Sequence, residues 1–273
     1  MECRACRSLF VRDVPDQERL RQLYQAATPD RGSTLCWEIE TRHDRSSLQR
    51  ALDAGLRTAG RGPILDVGCG TGPFLTYARD QGWSDLTGLE IAPHAAAVAR
   101  STSGADVYET TLDAVDLPPE HYSIVALWDV VEHLPEPRRA LRRIRDLLRP
   151  GGIIAVSTPN RFGLAGVVFG RRSVVVCPPE HLLIASRRGL RVALEEAGFS
   201  VEGLWSEDVR IREWTRWIGQ SKPEDTRRES YRAVQGRLTS SPWFDGVRRV
   251  ANIGLRATRL GDQLLAIGVR RRT

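Results

Sequence analysis

Between residues 61 and 205 the chain alternates short apolar runs with longer stretches whose apolar residues recur every three or four positions. The runs "PILDV" (63–67), "LTGLE" (86–90), "ADVYE" (105–109), "YSIVALW" (122–128) and "IIAVST" (153–158) have the length of strands. Such continuous apolar runs fit strands buried on both faces. Residues 73–81, 93–100, 137–149 and 187–197 carry helical spacing, and a further strand is expected at 199–205. Strand and helix in alternation predict an α/β fold, a parallel sheet covered by helices on both sides.

The flanks follow other patterns. Leu20, Leu23 and Tyr24 space a helix within 16–26, and "TPDRG" breaks it. A longer helix is expected over 35–58, turning Trp37, Ile39, Leu48, Leu52 and Leu56 toward a core and ending at Gly60, Gly62 and Pro63. After Trp205 the alternation stops. Residues 206–260 are rich in Arg and Trp and read as helical around a polar break, "GQSKPED"; "QLLAIGVRR" then returns a last strand. The expected organisation is an N-terminal helical cap (1–60), a core (61–205), a helical insertion (206–260) and a final core strand (261–273), with no internal repeat.

Length and composition change this picture little. A chain of 273 residues can bury one full core and carry appendages. Its 41% hydrophobic and 27% charged content is that of a globular protein in water. No apolar run reaches the roughly 18 residues that span a bilayer, and "MECRACRSLF" lacks the apolar centre of a signal peptide. A cytoplasmic protein is the expectation. Five scattered cysteines do not suggest a disulfide framework. Cys3 and Cys6 make half a zinc knuckle, no second pair follows, and bound zinc is not expected there.

Charge is unevenly placed. From residue 201 onward there are 15 Lys and Arg against 9 Asp and Glu, which accounts for the whole net charge of +6. Lys222 is the only lysine, so the arginines read as a coding habit and a solubility feature rather than a phosphate-binding surface. Peripheral contact with a membrane is compatible with that tail.

The candidate chemistry begins at "ILDVGCGTGPF" (64–74). Dinucleotide folds place G-x-G-x-x-G after the first strand, but Pro73 stands at the third glycine position here. The run is instead Asp66-x-Gly68-x-Gly70-x-Gly72. Glycines let the backbone come close to a ligand, and Asp66 at the strand end suits a cationic amine better than a pyrophosphate.

"LDVGCGTG" resembles the first motif of class I S-adenosylmethionine (SAM) dependent methyltransferases. The resemblance continues through "LTGLEIAP", "YSIVALWDVVEHL", "LRPGGIIAVSTPN" and "LRVALEEAGFSVEG", over about residues 60–205. Within the class the chain is most similar to the ubiquinone O-methyltransferase branch, which includes natural-product enzymes. "CRACRSLFVRDVPDQERLRQLY" also resembles the end of an N-terminal zinc ribbon of some of those proteins, without its first cysteine pair. The resemblance implies a doubly wound seven-stranded Rossmann-like sheet with an antiparallel last strand. It implies SAM as cofactor, S-adenosylhomocysteine as product, and methylation of a small molecule, most readily at oxygen.

The resemblance assigns the cofactor to Asp66, Gly68, Cys69 and Gly70 in the turn. Glu90 would accept the ribose hydroxyls, and Ile91 would pack on the adenine. Thr111 stands where relatives often carry an acid for the adenine amine, and the backbone of Leu112 is a substitute. Trp128 can wall the methionine moiety, and Arg42 or Arg45 can reach its carboxylate. On the acceptor side, a helical turn over "WDVVEHLPEP" would put Asp129, Glu132 and His133 on one face as ligands of a divalent metal. His133 and His181 are the candidate bases. The apolar stretch before His181 and Trp214, Trp217, Trp243 and Phe244 are expected around an apolar, cyclic acceptor.

Other functions find less support. There is no N-P-P-Y loop for exocyclic base amines, Cys177-Pro178 reverses the Pro-Cys order of cytosine nucleophiles, and no RNA-binding module is recognisable. Nucleic acid is therefore not the expected partner. Two alternatives stay open: a macromolecule methyltransferase that uses the basic C-terminal region, and a SAM-binding protein without transfer activity.

Overall fold

The computed structural model describes residues 1–16, 19–20, 22, 45–173, 175–208, 254–255 and 257–271. The insertion aromatics, Arg42 and the first part of the expected 35–58 helix lie outside those residues.

Seven strands form the central sheet: β2 (Ile64–Val67), β3 (Leu86–Leu89), β4 (Asp106–Tyr108), β5 (Tyr122–Trp128), β6 (Leu148–Pro159), β8 (Phe199–Glu207) and β9 (Gln263–Arg270). A separate two-stranded piece joins β1 (Leu9–Phe10) to β7 (Leu183–Ile184). The sheet order is β4-β3-β2-β5-β6-β9-β8. Pairs β4–β3, β3–β2, β2–β5 and β5–β6 are parallel, whereas β9 runs antiparallel between β6 and β8. This is the doubly wound sheet with a reversed last strand that the family resemblance implied.

Helices α1 (Arg45–Thr58), α2 (Pro73–Asp80), α3 (Pro93–Ser103), α4 (Pro137–Leu147), α5 (Leu164–Phe169) and α6 (Arg187–Glu196) surround it. Strand β5 shows why the layers form. Its seven residues are all buried, and successive side chains leave opposite faces. Ile124 and Ala126 join Leu48 and Leu52 of α1, Phe74 and Leu75 of α2 and Ala96 of α3. Val125 and Leu127 join Leu141 and Ile144 of α4 and Leu190 and Leu194 of α6 on the other face. Helix α4 has the sequence PRRALRRIRDL, with Ala140, Leu141, Ile144 and Leu147 buried. That spacing is one face of a 3.6-residue repeat, and most of the arginines fall outside it.

Differences from the expected boundaries have local causes. Strand β6 starts at Leu148 rather than near Ile153, because Leu148 pairs with Tyr122 before the register shifts to Ile153 opposite Ile124. Strands β1 and β7 went unrecognised because two-residue strands carry no readable alternation. The apolar stretch before His181 contains α5.

Helix α1 lies close on the sheet because Gly55 has no side chain. A Cβ there would come within 2.5 Å of Ile124 Cδ1. Gly55→Val is expected to cost about 1–3 kcal/mol through overpacking, read as a lower urea midpoint with an unchanged slope.

Candidate active site

The glycine turn leaves the carboxyl end of β2, where the chain is buried on both sides. Gly68 and Gly70 have φ of +68° and +54°, a region that L side chains avoid. A Cβ on Gly68 would lie 2.6 Å from Val130, but one on Gly70 would meet nothing within 4 Å among the described residues. Among the described residues the Gly70 backbone therefore borders open space, as a ligand cradle requires. Gly72 then caps α2, with Pro73 as its first residue. That position suits proline, since its missing N–H would have had no helical partner.

Asp66 is 1% exposed. Among the described residues its Oδ1 has no hydrogen-bond partner. Burial, and then the charge of Glu90, pushes its carboxyl well above the usual carboxylate range. Glu90 follows β3 and holds the turn: Gly70 N–H donates to Oε2 at 2.9 Å and Ala92 N–H to Oε1 at 2.8 Å. Burial raises its carboxyl as well, against those two amides. Cys69 is buried, and burial pushes its thiol far up, so it stays a neutral packing group. The buried carboxyl, the open backbone and the strand-end acid fit a ligand with an ammonium and vicinal hydroxyls.

The remaining expected cofactor residues surround this turn more loosely. Ile91 is half-buried and Thr111 exposed, and Leu112 lies in the core. Trp128, at the end of β5, packs on Phe74 with ring centroids 5.3 Å apart. Arg45 is exposed at the first residue of α1.

On the acceptor side the structure groups the candidates differently from the sequence reading. The expected helical turn from Asp129 does not form. Asp129 takes φ +55°, and the helical hydrogen bonding is a single 3-10 turn over Val131–His133. Asp129 points instead toward Ser157 (3.3 Å) and Gln263, whose amide also reaches Ser157 at 2.6 Å. Glu132, His133 and His181 come together, with their potential ligand atoms all within 4.8 Å of one another. The i, i+3, i+4 argument failed at its first member: a left-handed residue breaks the helical spacing. His181 takes that place, through a fold-level contact that sequence spacing does not reveal.

Each member of the trio is oriented from outside. Glu132 is 1% exposed, and Thr158 donates to its Oε2 at 3.0 Å. His133 Nδ1 is 2.8 Å from the Glu180 carbonyl and His181 Nδ1 is 2.7 Å from the Val175 carbonyl. A carbonyl only accepts, so each Nδ1 carries a proton, and in the neutral ring the lone pair is on Nε2. The two rings meet edge to face at 4.7 Å. Sequence reasoning did not single out Thr158, Ser157 or Gln263. Gln263 lies more than a hundred residues from Asp129, with no local pattern linking them.

A family model described as a methyltransferase domain matches residues 37–204. The chain belongs to that family, the class I SAM-dependent methyltransferases, and SAM is the family's cofactor. A ubiquinone biosynthesis O-methyltransferase of Nitrosospira multiformis is 30% identical over 131 residues, 45% of this chain and 54% of that protein. One from Pseudomonas savastanoi pv. phaseolicola is 29% identical over 182 residues, 64% of this chain and 75% of that protein. A SAM-dependent methyltransferase of Mesorhizobium loti shares the fold, with TM-score 0.53 at 20% identity, over 82% of this chain and 98% of that one. Among the described residues no helix is long and apolar enough to cross a membrane.

Without cofactor, the raised carboxyl of Asp66 stabilises the fold while it is protonated. That contribution is complete below the unfolded carboxylate pKa and is lost as pH rises through the folded value. Asp66→Asn cannot ionise. Its stability relative to the unaltered protein should therefore rise with pH across that window, as measured by urea unfolding of the cofactor-free proteins.

Proposed function

We propose that this protein transfers the methyl group of SAM to a hydroxyl oxygen of a small, apolar, cyclic acceptor. One observation carries the reading: a buried carboxylate and two imidazoles converge at the carboxyl edge of the sheet that also carries the glycine turn. Ligands of open α/β sheets bind along that edge. The named activity of the bacterial relatives supports oxygen as the acceptor atom.

In this reading the SAM ammonium pairs with Asp66, and Glu90 accepts from the ribose hydroxyls. Ile91 packs on the adenine, beside Thr111 and the Leu112 backbone, and Trp128 walls the methionine chain. The sulfonium is already activated, so the protein's task is alignment and exclusion of water. The acceptor oxygen attacks the methyl carbon in line, the S–CH3 bond breaks toward sulfur, and S-adenosylhomocysteine leaves. The hydroxyl proton passes to Nε2 of His133 or His181, whose Nδ1–H is held by a backbone carbonyl. Glu132 stabilises the imidazolium that results.

The same trio has the donors of a divalent-cation site. Two imidazoles with carbonyl-bound Nδ1 and one carboxylate form a three-ligand set that leaves positions for substrate oxygens. When bound, a cation there would favour the ionised form of the acceptor hydroxyl. Glu132, His133 and His181 would hold it, and Asp129 would stay with Ser157 and Gln263.

Methyl-labelled SAM incubated with cell extract tests the function, with the extract fractionated into organic-soluble, protein and nucleic-acid pools. Label in the organic pool is the expected result, and label confined to either macromolecular pool would overturn it. Loss of transfer with a chelator assigns the trio to a cation, and unchanged transfer assigns it to proton transfer. Glu90→Ala should weaken SAM binding about 10- to 100-fold, the worth of hydrogen bonds to a charged group. Replacing the histidine that takes the proton by Ala should lower kcat by about 10²- to 10⁴-fold with SAM affinity kept.

A further inference from the structure

Residues 1–10 fold into a hairpin. Cys3 N–H donates to the Ser8 carbonyl and Phe10 N–H to the Met1 carbonyl, both at 2.8 Å, and Glu2 bridges to Leu9. Its second arm, β1, pairs with β7, with Leu9 opposite Ile184 and Phe10 opposite Leu183. Just past the strand, Val11 N–H donates to the Leu182 carbonyl at 2.9 Å. Ser8 accepts from the Ser186 amide at 2.9 Å, and the Ser186 hydroxyl donates to the Cys6 carbonyl at 2.5 Å. Neither β1 nor β7 belongs to the seven-stranded sheet.

The segment that this hairpin grips carries more than His181. Val175 supplies the carbonyl that holds Nδ1 of His181, and Glu180 the one that holds Nδ1 of His133. One loop, 175–184, therefore sets the orientation of both rings. It is tied to the third member of the trio as well, since Leu182 N–H donates to the Glu132 carbonyl at 2.8 Å. Leu9, Val175 and Ile184 are buried together in an apolar cluster separate from the two clusters of the main core. Val175 thus gives its side chain to the cluster that β1 completes and its carbonyl to His181. Hydrogen bonds weaken steeply with distance and angle, so a shift of Val175 would release the ring.

We propose that Leu9 of β1 is a positioning residue of the methyl-transfer site. By filling the cluster around Val175 and Ile184 it keeps the 175–184 loop in place, and with it the imidazoles of His133 and His181 beside Glu132. The consequence for catalysis rests on the methyl-transfer reading; the geometry does not. The role is the same whether the trio takes a proton or holds a cation, because either task uses Nε2 of a ring whose Nδ1–H is held. Misplacing such a group costs rate, because alignment is the protein's main contribution to this chemistry. The cofactor turn lies on other strands, so SAM affinity is expected to stay.

Leu9→Ala in the full chain tests it, with Leu9→Met as the volume-conserving rescue and Val175→Ala as a second route to the same cluster. Two readouts are compared. The first is the rate of label transfer from saturating methyl-labelled SAM to the organic-soluble pool of cell extract, beside the SAM dissociation constant. The second is the ring nitrogen-15 spectrum of the chelator-treated protein at a pH where the rings are neutral, which reports each tautomer. Five histidines keep that spectrum assignable. In the unaltered protein and Leu9→Met, His133 and His181 should be Nδ1–H. In Leu9→Ala and Val175→Ala, His181 should become a tautomer mixture and the rate fall about 10- to 100-fold, with SAM affinity kept. Unchanged ring signals in both alanine variants would overturn the proposal whatever the rate does. A changed signal with an unchanged rate, or a loss of SAM affinity equal to the loss of rate, would overturn the positioning role. If the unaltered protein transfers no methyl, the functional reading falls, and the tautomer comparison alone decides whether Leu9 sets the rings.

Discussion

A single buried carboxyl sets the terms for the cofactor side of this molecule. Asp66 ends an otherwise apolar strand and is buried from water. A lone carboxylate there is expensive, and its raised pKa records that cost. The neighbouring strands hold it in place through parallel pairing, with Asp66 opposite Gly88 on β3 and Ala126 on β5. The glycine turn then bends the backbone away without adding a side chain that could solvate it. What remains, among the described residues, is a buried carboxyl oxygen without a partner at the carboxyl end of β2, the kind of group that an ammonium would satisfy.

The Glu132–His133–His181 trio is built on a different principle. Nothing in the trio is left to choose its own orientation: backbone carbonyls fix both histidine tautomers, and Thr158 fixes Glu132. The segments that bring His181 into the trio are pinned by pairing far from their sequence neighbours. Leu182 N–H donates to the Glu132 carbonyl, Val11 N–H donates to the Leu182 carbonyl, and β1 pairs with β7. The N-terminal hairpin is thus one of the supports of the segment that carries His181.

The legible part of the sequence was the part governed by local rules. Apolar runs and helical spacing marked the strands and helices of the core, and the glycine turn and Glu90, which the structure hydrogen-bonds to each other, marked one end of the candidate site. Tertiary contacts governed what was not legible. Asp129 looked like the first member of a helical face, yet its left-handed backbone and the distant Gln263 draw it elsewhere. His181 looked like an isolated candidate, and only the fold sets it beside His133. Strands β1 and β7 were too short for periodicity to report.

The pair Arg50–Glu207 shows how the two ends of the described core are tied together. Glu207 closes β8 almost fully buried, bonded to Arg50 at 2.8 Å and to the Ser47 hydroxyl. Arg50 also lies over Trp205, 5.3 Å from the ring centroid. A buried ion pair adds little net stability, because desolvation offsets much of the attraction. Its geometry is more demanding than that of an apolar contact, however, and it ties α1 to the end of β8. Helix α1 also packs on β5, β6 and β9. A slip of one turn would strand a carboxylate in the core, and that penalty opposes any other placement of α1 against β8.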